Sequence, residues 1–248
     1  TLEEFKAFFK KYYTPNNAVL TIAGDIDVEK TKQLVKNYFE PIPKGEPIVR
    51  KEIKEVPFGK QIVDTAYDPN IQIPAVFATY RIPGMKSDDS KALEMISSVL
   101  SGSGSSRLST KLVDQKKTAL QVAAFNYALE DHGIYITLAL PNAGASLDEL
   151  LADIDKEVAD LQKNLISEEE YQKLQNQFEN DFINSNTSML GVAENLSSGY
   201  TFYQNTNKVN EELKEIRSVT REKIREVAAK YLTKDNRVVL YYLPESQK

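Results

Sequence analysis

Leu2, Phe5, Phe8, Phe9 and Tyr12 recur at helical spacing with charged residues between them, so the pattern predicts a helix from Thr1 to about Tyr13. Thr1 and Glu4 have the spacing of a capping box, each side chain satisfying a backbone N–H at the helix start. Thr14-Pro-Asn-Asn17 reads as a turn, and Ala18–Ala23 as a short apolar strand ended by Gly24-Asp25. A second helix is predicted from about Asp27 to Phe39, with Val28, Leu34, Val35 and Tyr38 inward. Pro41, Pro43, Gly45 and Pro47 then crowd together and mark the best boundary in the chain.

Beyond that cluster, strand patterns occupy 60–67 and 74–82, closed by Pro83-Gly84. Ser87-Asp-Asp opens a helix with Leu93, Ile96, Val99 and Leu100 inward, stopped by Gly102 and Gly104. A short helix near 106–116 precedes strands at Ala119–Ala128 and Ile134–Leu140. Ser146 with Glu149 and Ser167 with Glu170 are two further capping boxes, the second opening a long helix to about Asn184. Helices at 188–203 and Thr220–Tyr231 and a strand at Val238–Leu243 complete the pattern. Helices interleaved with strand pairs argue an α+β fold with a largely antiparallel or mixed sheet.

Composition narrows the chemistry. The 248 residues are 41% hydrophobic and 27% charged with a net charge of −5, and no Lys/Arg block suggests a nucleic-acid face. Cysteine is absent and His132 is the single histidine, which excludes thiol nucleophiles, disulfides and a self-contained zinc site. His132 itself sits between Glu130-Asp131 and Gly133, a hairpin-turn setting, and no serine stands out as a nucleophile for it to activate. Glu168, Glu169 and Glu170 follow Ser167 directly, as expected of a helix N-terminus and not of a metal site. Gly102-Ser-Gly-Ser-Ser-Arg107 lacks the third glycine and the preceding strand of a phosphate-binding turn, so it reads as one helix's C-cap running into the next N-cap. Arg107 reads as a structural arginine with a substrate contact as the alternative, and Tyr200, Phe202 and Tyr203 as core with a contact surface as the alternative. No apolar run approaches the ~20 residues of a membrane span.

An internal repeat sets the domain organisation. Lys11-Tyr-Tyr-Thr-Pro-Asn-Asn-Ala-Val-Leu20 aligns with Lys230-Tyr-Leu-Thr-Lys-Asp-Asn-Arg-Val-Val239, and Lys230 lies 219 residues beyond Lys11. Lys, Tyr, Thr, Asn and Val are identical, and the preceding helix keeps phase, Phe5 falling on Ile224 and Phe8 on Val227. A chance match of two helix–turn–strand units is the competing explanation. A repeat this long is a duplicated domain and not a solenoid. The expected organisation is the tail of a first copy at 1–42, a linker at 43–56 and a complete second copy at 57–248, with the body of the first copy upstream of Thr1. The absence of a Met or signal-type segment at Thr1 fits that expectation.

The same residues carry a resemblance. Phe9-Lys-Lys-Tyr-Tyr-Thr-Pro-Asn-Asn-Ala-Val-Leu-Thr-Ile-Ala-Gly-Asp25, the helix, Gly-rich loop and Ser-Arg-Leu segment of Ala92–Leu112, Ser167-Glu-Glu-Glu170 and Val219–Pro244 together resemble the C-terminal portion of M16 zinc metallopeptidases, the pitrilysin and mitochondrial-processing-peptidase type. The resemblance implies a LuxS/MPP-like metallohydrolase fold in two similar halves that enclose a chamber for unfolded peptides. It also implies zinc on the first half, bound by an inverted H-x-x-E-H pair and a distal Glu, and none on this portion. Implied partners are a peptide substrate, the chain's own N-terminal zinc domain and a second M16-like subunit; Gly102, Gly104, Ser105 and Arg107 are the candidate substrate-binding residues. Many members place a substrate-binding Arg, and a Tyr seven residues later, just beyond the Ser-Arg-Leu segment. Here those positions are Val113 and Leu120, which offer neither a charged donor nor a phenol. Either a partner supplies the pair, or the protein is an inactive structural or assembly subunit. An unrelated α+β binding domain without duplication is the third reading. Compartment is not encoded in these residues; a bacterial location, in cytoplasm or periplasm, is the working expectation.

Overall fold

The computed structural model describes all residues, Thr1–Lys248. In chain order the elements are α1 (Leu2–Tyr12), α2 (Val28–Phe39), β1 (Ile62–Asp68), β2 (Ala75–Pro83), α3 (Ser90–Ser101), β3 (Ala119–Ala128), β4 (His132–Pro141), α4 (Leu147–Lys163), α5 (Glu168–Ser185), α6 (Met189–Tyr203), α7 (Lys208–Ser218), α8 (Arg221–Tyr231) and β5 (Arg237–Pro244). They divide into two compact units, one of residues 1–55 with 180–213, the other of 56–179 with 214–248.

The larger unit is built on a five-stranded mixed sheet of order β1-β5-β2-β4-β3. β1 runs parallel to β5, and every other pairing is antiparallel. The strands alternate as a half-covered sheet requires. Val76, Ala78, Tyr80 and Ile82 of β2 and Tyr135, Thr137 and Ala139 of β4 are buried beneath α3, α4 and α8. Tyr80 and Tyr135 meet edge-on at 6.4 Å in this layer, against Leu93, Ile96, Leu150, Ile154 and Val227. Two polar clusters hold this layer together, one between helices and one between sheet and helix. Asp89, buried ahead of α3, accepts from Lys223 and from Lys230 (2.8 Å) and the Tyr231 hydroxyl (2.7 Å) of α8. Burial opposes that charge, yet the two ammonium groups and the phenol hold the carboxyl below the usual carboxylate range. Buried Arg237 donates to Asp155 of α4, to Gln61 and to the Tyr80 hydroxyl.

The smaller unit contains α1, α2 and α6. Its first-turn cap forms as its sequence dictates, Glu4 N–H donating to the Thr1 hydroxyl. None of the residues of α1 or α2 is buried. Residues 18–23, expected as a strand, have extended backbone at Ala18 but no strand partner. A strand is a product of pairing, and an apolar run alone does not supply one. α7 escapes the sequence reading because its charged stretch hides an apolar stripe of Val209, Leu213 and Ile216. The short helix expected near 106–116 forms, but its Ser109–Gln115 part is wound as a π-helix.

Candidate functional site

The candidate loop begins where α3 runs out. Gly102 N–H closes the last turn on the Ser98 carbonyl at 3.0 Å, and a Cβ at Gly102 would lie 2.7 Å from Ser98 Cα. A Cβ at Gly104 would meet nothing. The loop is tied back to itself, with Ser106 N–H donating to the Ser103 carbonyl at 3.0 Å. Lys173 of α5 donates to Ser105 Oγ at 2.6 Å and to Ser103 Oγ at 3.3 Å.

Arg107 then anchors the loop. Its Nε and one terminal nitrogen grip both oxygens of Glu170 at 2.7 and 2.9 Å, and the other donates to Asp160 Oδ2 at 2.6 Å. Glu170 also closes its capping box on the Ser167 N–H at 3.0 Å. The Arg107 guanidinium is the main cause that pulls the Glu170 carboxyl down to about 2, against the cost of burial.

Arg107 is the first rung of a ladder. Lys111 donates to Glu157 at 2.6 Å and Lys116 to Asp153 at 2.7 Å, so three cations meet three carboxylates spaced along one face of α4. The wider π-turn, closed by Lys116 N–H on the Lys111 carbonyl at 2.9 Å, sets the longer step from Lys111 to Lys116 that keeps both on that face. The sequence pattern nominates Arg107 alone and reads Glu170 as a helix cap; the only signal for the ladder is the spacing of cations at 107, 111 and 116 and of acids at 153, 157 and 160.

The cleft lined by Ser105, Ser106, Arg107, Glu170 and Lys173 has about 30 Å3, room for a water or two. A second cavity, about 180 Å3 between Tyr80, Asp155, Gln162 and Arg237, is also below the roughly 300 Å3 of a ligand pocket. No group of three or more His, Cys, Asp or Glu side chains is placed to hold a metal ion. His132 opens β4 opposite Pro83 at the sheet's end, its carbonyl accepting from Leu129 N–H.

The larger feature is the other side of the sheet. Opposite the buried layer, Ala123, Leu138, Phe77 and Leu240 lie in cross-strand register, with Phe125, Ile136 and Thr79 in the next row. This face is mainly apolar, with Arg81 beside Ile134 and Asp64 beside Leu240, and half-covered at most: Phe125 and Ile134 are exposed, and Tyr127 is 56% exposed. It ends at β3, an edge strand with no strand beside it, on which Ser101 Oγ accepts from Ala124 N–H at 2.5 Å and donates to the Ala124 carbonyl at 3.1 Å. Leu120 is exposed on β3 and Val113 is half-buried in the π-turn.

Comparison with known proteins places this arrangement. The family of the Peptidase M16 inactive domain matches residues 1–178. The zinc protease PqqE of Helicobacter pylori (strain ATCC 700392 / 26695) is 28% identical over 214 residues, covering 82% of this chain and 48% of its own length. The chain therefore spans about half the length of that relative. Among solved structures, a protease from Helicobacter pylori shares the fold with a TM-score of 0.90 at 24% identity, over 98% of this chain and 59% of that one. The first half of the periplasmic protease PqqL from Escherichia coli superposes with a TM-score of 0.75 at 14% identity, over 98% of this chain and 55% of that one. A sheet covered on one side, a structural Arg–Glu anchor, no metal-ligand cluster and a family match over most of its length agree: the chain belongs to the M16 peptidase inactive-domain family, the non-zinc-binding half of that scaffold.

Proposed function

We propose that this chain is the non-catalytic half of an M16-type metalloendopeptidase and forms one wall of its peptide chamber. In this reading residues 1–42 are the tail of a zinc-bearing first domain, 43–56 a linker and 57–248 the second domain. The observation that carries it is the apolar sheet face ending in the unpaired β3 edge. A peptide laid along that edge would add a strand beyond Ala124, whose backbone groups Ser101 already holds, with Phe125 and Tyr127 contacting alternate side chains. Gly102, Gly104 and Ser105 would meet the peptide from the loop that Arg107 anchors. Val113 and Leu120 cannot supply the family's Arg/Tyr contacts, so a second M16-like subunit would provide them. The relatives named above are bacterial, one of them periplasmic, which favours a bacterial cell; fractionation decides between cytoplasm and periplasm. No helix is long and apolar enough to cross a membrane.

The test is fluorescence anisotropy of a labelled unfolded peptide against this chain. Tyr127→Ala is expected to weaken binding roughly tenfold, as loss of an aromatic contact does. A backbone N-methylated peptide of the same sequence should not bind. Equal binding of the methylated peptide would exclude strand addition, and no binding by either peptide would remove the chamber-wall role.

A further inference from the structure

On the side of the sheet that the helices cover, β5 begins beside a small cavity. Arg237 opens that strand with its side chain 2% exposed, and Tyr80, its neighbour on β2, is 1% exposed. Both line a cavity of about 180 Å3, together with residues of α4 and of the one-turn 3-10 segment Lys234–Asn236 that precedes β5. Its wall is of two kinds. Val158 and Ala159 of α4 and Leu232 form an apolar part, and Tyr80, Asp155, Lys234 and Arg237 form a polar part. At ~30 Å3 for each water the space holds about six waters, or a molecule of about six non-hydrogen atoms.

The polar part has more donors than acceptors. A guanidinium carries five N–H groups. Arg237 gives one to Gln61 at 2.8 Å, one to the Tyr80 hydroxyl at 3.0 Å and two to the oxygens of Asp155, which leaves one on Nη2 with no protein acceptor. The Tyr80 hydroxyl accepts from Arg237, and its own proton has no protein acceptor either. Burial pushes that phenol up, so the proton stays in place at neutral pH. Lys234, whose side chain is 73% exposed, reaches Asp155 Oδ2 at 3.3 Å. Asp155 therefore serves two cations, and the wall carries one positive charge in excess. Gln162 and Thr233 also line the cavity, but Gln162 donates to the Leu232 carbonyl at 2.8 Å and Thr233 to Asp235.

We propose that this cavity binds a short-chain aliphatic monocarboxylate of up to about six non-hydrogen atoms. Its oxygens accept from the Tyr80 hydroxyl, the fifth Arg237 N–H and the Lys234 ammonium, and its alkyl part lies against Val158, Ala159 and Leu232. Three features choose the ligand. Donors without acceptors call for oxygens that bear lone pairs and no proton. A single excess positive charge matches a monoanion, whereas a dianion such as phosphate would leave a negative charge uncompensated beside Asp155. The apolar part of the wall favours an alkyl chain, and chloride or sulfate has nothing to bury there. The site lies on the opposite side of the sheet from the proposed peptide face and needs neither zinc nor peptide hydrolysis.

Calorimetric titration of this chain with butyrate, at an ionic strength held constant with chloride, tests it, with backbone amide shifts followed by NMR. Butyrate should bind saturably at one site and shift the amides of 232–237. Neutral butyramide and octanoate, which is too long for the cavity, should not bind, and acetate should bind more weakly than butyrate. Lys234→Ala, at an exposed position, should weaken butyrate roughly tenfold, as losing a charge-assisted bond does, and Lys234→Arg by less than about threefold. Tyr80→Phe should also weaken it roughly tenfold. Unchanged affinity in both Lys234→Ala and Tyr80→Phe would overturn the site. Phosphate binding as tightly as butyrate would overturn the carboxylate assignment. Shifts confined to the open face of the sheet, around Phe77 and Leu138, would move butyrate to that face and remove the cavity site. Heats and shifts that chloride alone reproduces would mean that the cavity holds water only, and would sink the proposal. Failure of this chain to bind peptide would remove the chamber-wall role and leave butyrate binding as it stands.

Discussion

Arg107 and Glu170 hold each other through two hydrogen bonds, with Asp160 as a third partner. Replacing the guanidinium by Ala leaves two carboxylates facing each other in a half-buried site, at a cost of about 1–3 kcal/mol. Arg107→Lys should recover only part of that, because an ammonium cannot grip both Glu170 oxygens. The pair also sets an acid limit. The Glu170 carboxyl is lowered from 4.5 to about 2 in the folded chain. Its contribution is therefore fully present above pH 4.5 and is lost as pH falls through about 2. Thermal unfolding followed from pH 6 to pH 2 should show a falling Tm below about pH 4.5 in the parent and a shallower fall in Arg107→Ala; equal slopes would mean the pair is not linked to folding.

At the level of elements, the loop that follows α3 is fixed at one end and open in the middle. Gly102→Ala pushes a methyl group into the Ser98 backbone and should cost about 1–3 kcal/mol, the usual penalty of overpacking. Gly104→Ala meets empty space and should fall within about 0.5 kcal/mol of the parent. Urea denaturation of the two variants separates these outcomes, and equal stabilities would contradict the close approach at Gly102. The elements themselves were largely readable: the capping boxes at Thr1 and Ser167 form, Ser146 caps its helix but through Asp148 N–H and not Glu149, and the alternating strands at 119–128 and 134–140 match the structure closely. The exceptions share a cause. α7 has too few apolar residues to stand out, the π-turn has no signature in apolar periodicity, and a strand at 18–23 requires a neighbour that must supply its hydrogen bonds.

For the whole molecule, the proposed division of labour puts chemistry on one half and binding on the other. This chain alone should hydrolyse no peptide, with or without added zinc. The complete protein should lose hydrolysis on treatment with a chelator and regain it with zinc, while peptide binding measured on this chain is insensitive to both. Zinc-independent hydrolysis by this chain would overturn the division. Peptide binding with no hydrolysis by the complete protein under any metal condition would favour the inactive structural subunit.

The sequence by itself determined the α+β class, the repeat, the want of His and Cys ligands for a zinc site and the family resemblance. Those rest on local rules: apolar periodicity, capping residues and counts of donor side chains. Tertiary structure alone decided which charges meet. Arg107 finds Glu170 63 residues away, Asp89 finds Tyr231 142 residues away, and Arg237 finds Asp155 82 residues away. Each cation sat in an ordinary amphipathic pattern, and nothing in that pattern names its partner. It also decided which apolar faces are covered, since burial depends on the surface brought against a helix or strand. Ile224 and Phe5 occupy equivalent positions, and only their neighbours make one a core residue and the other an exposed one.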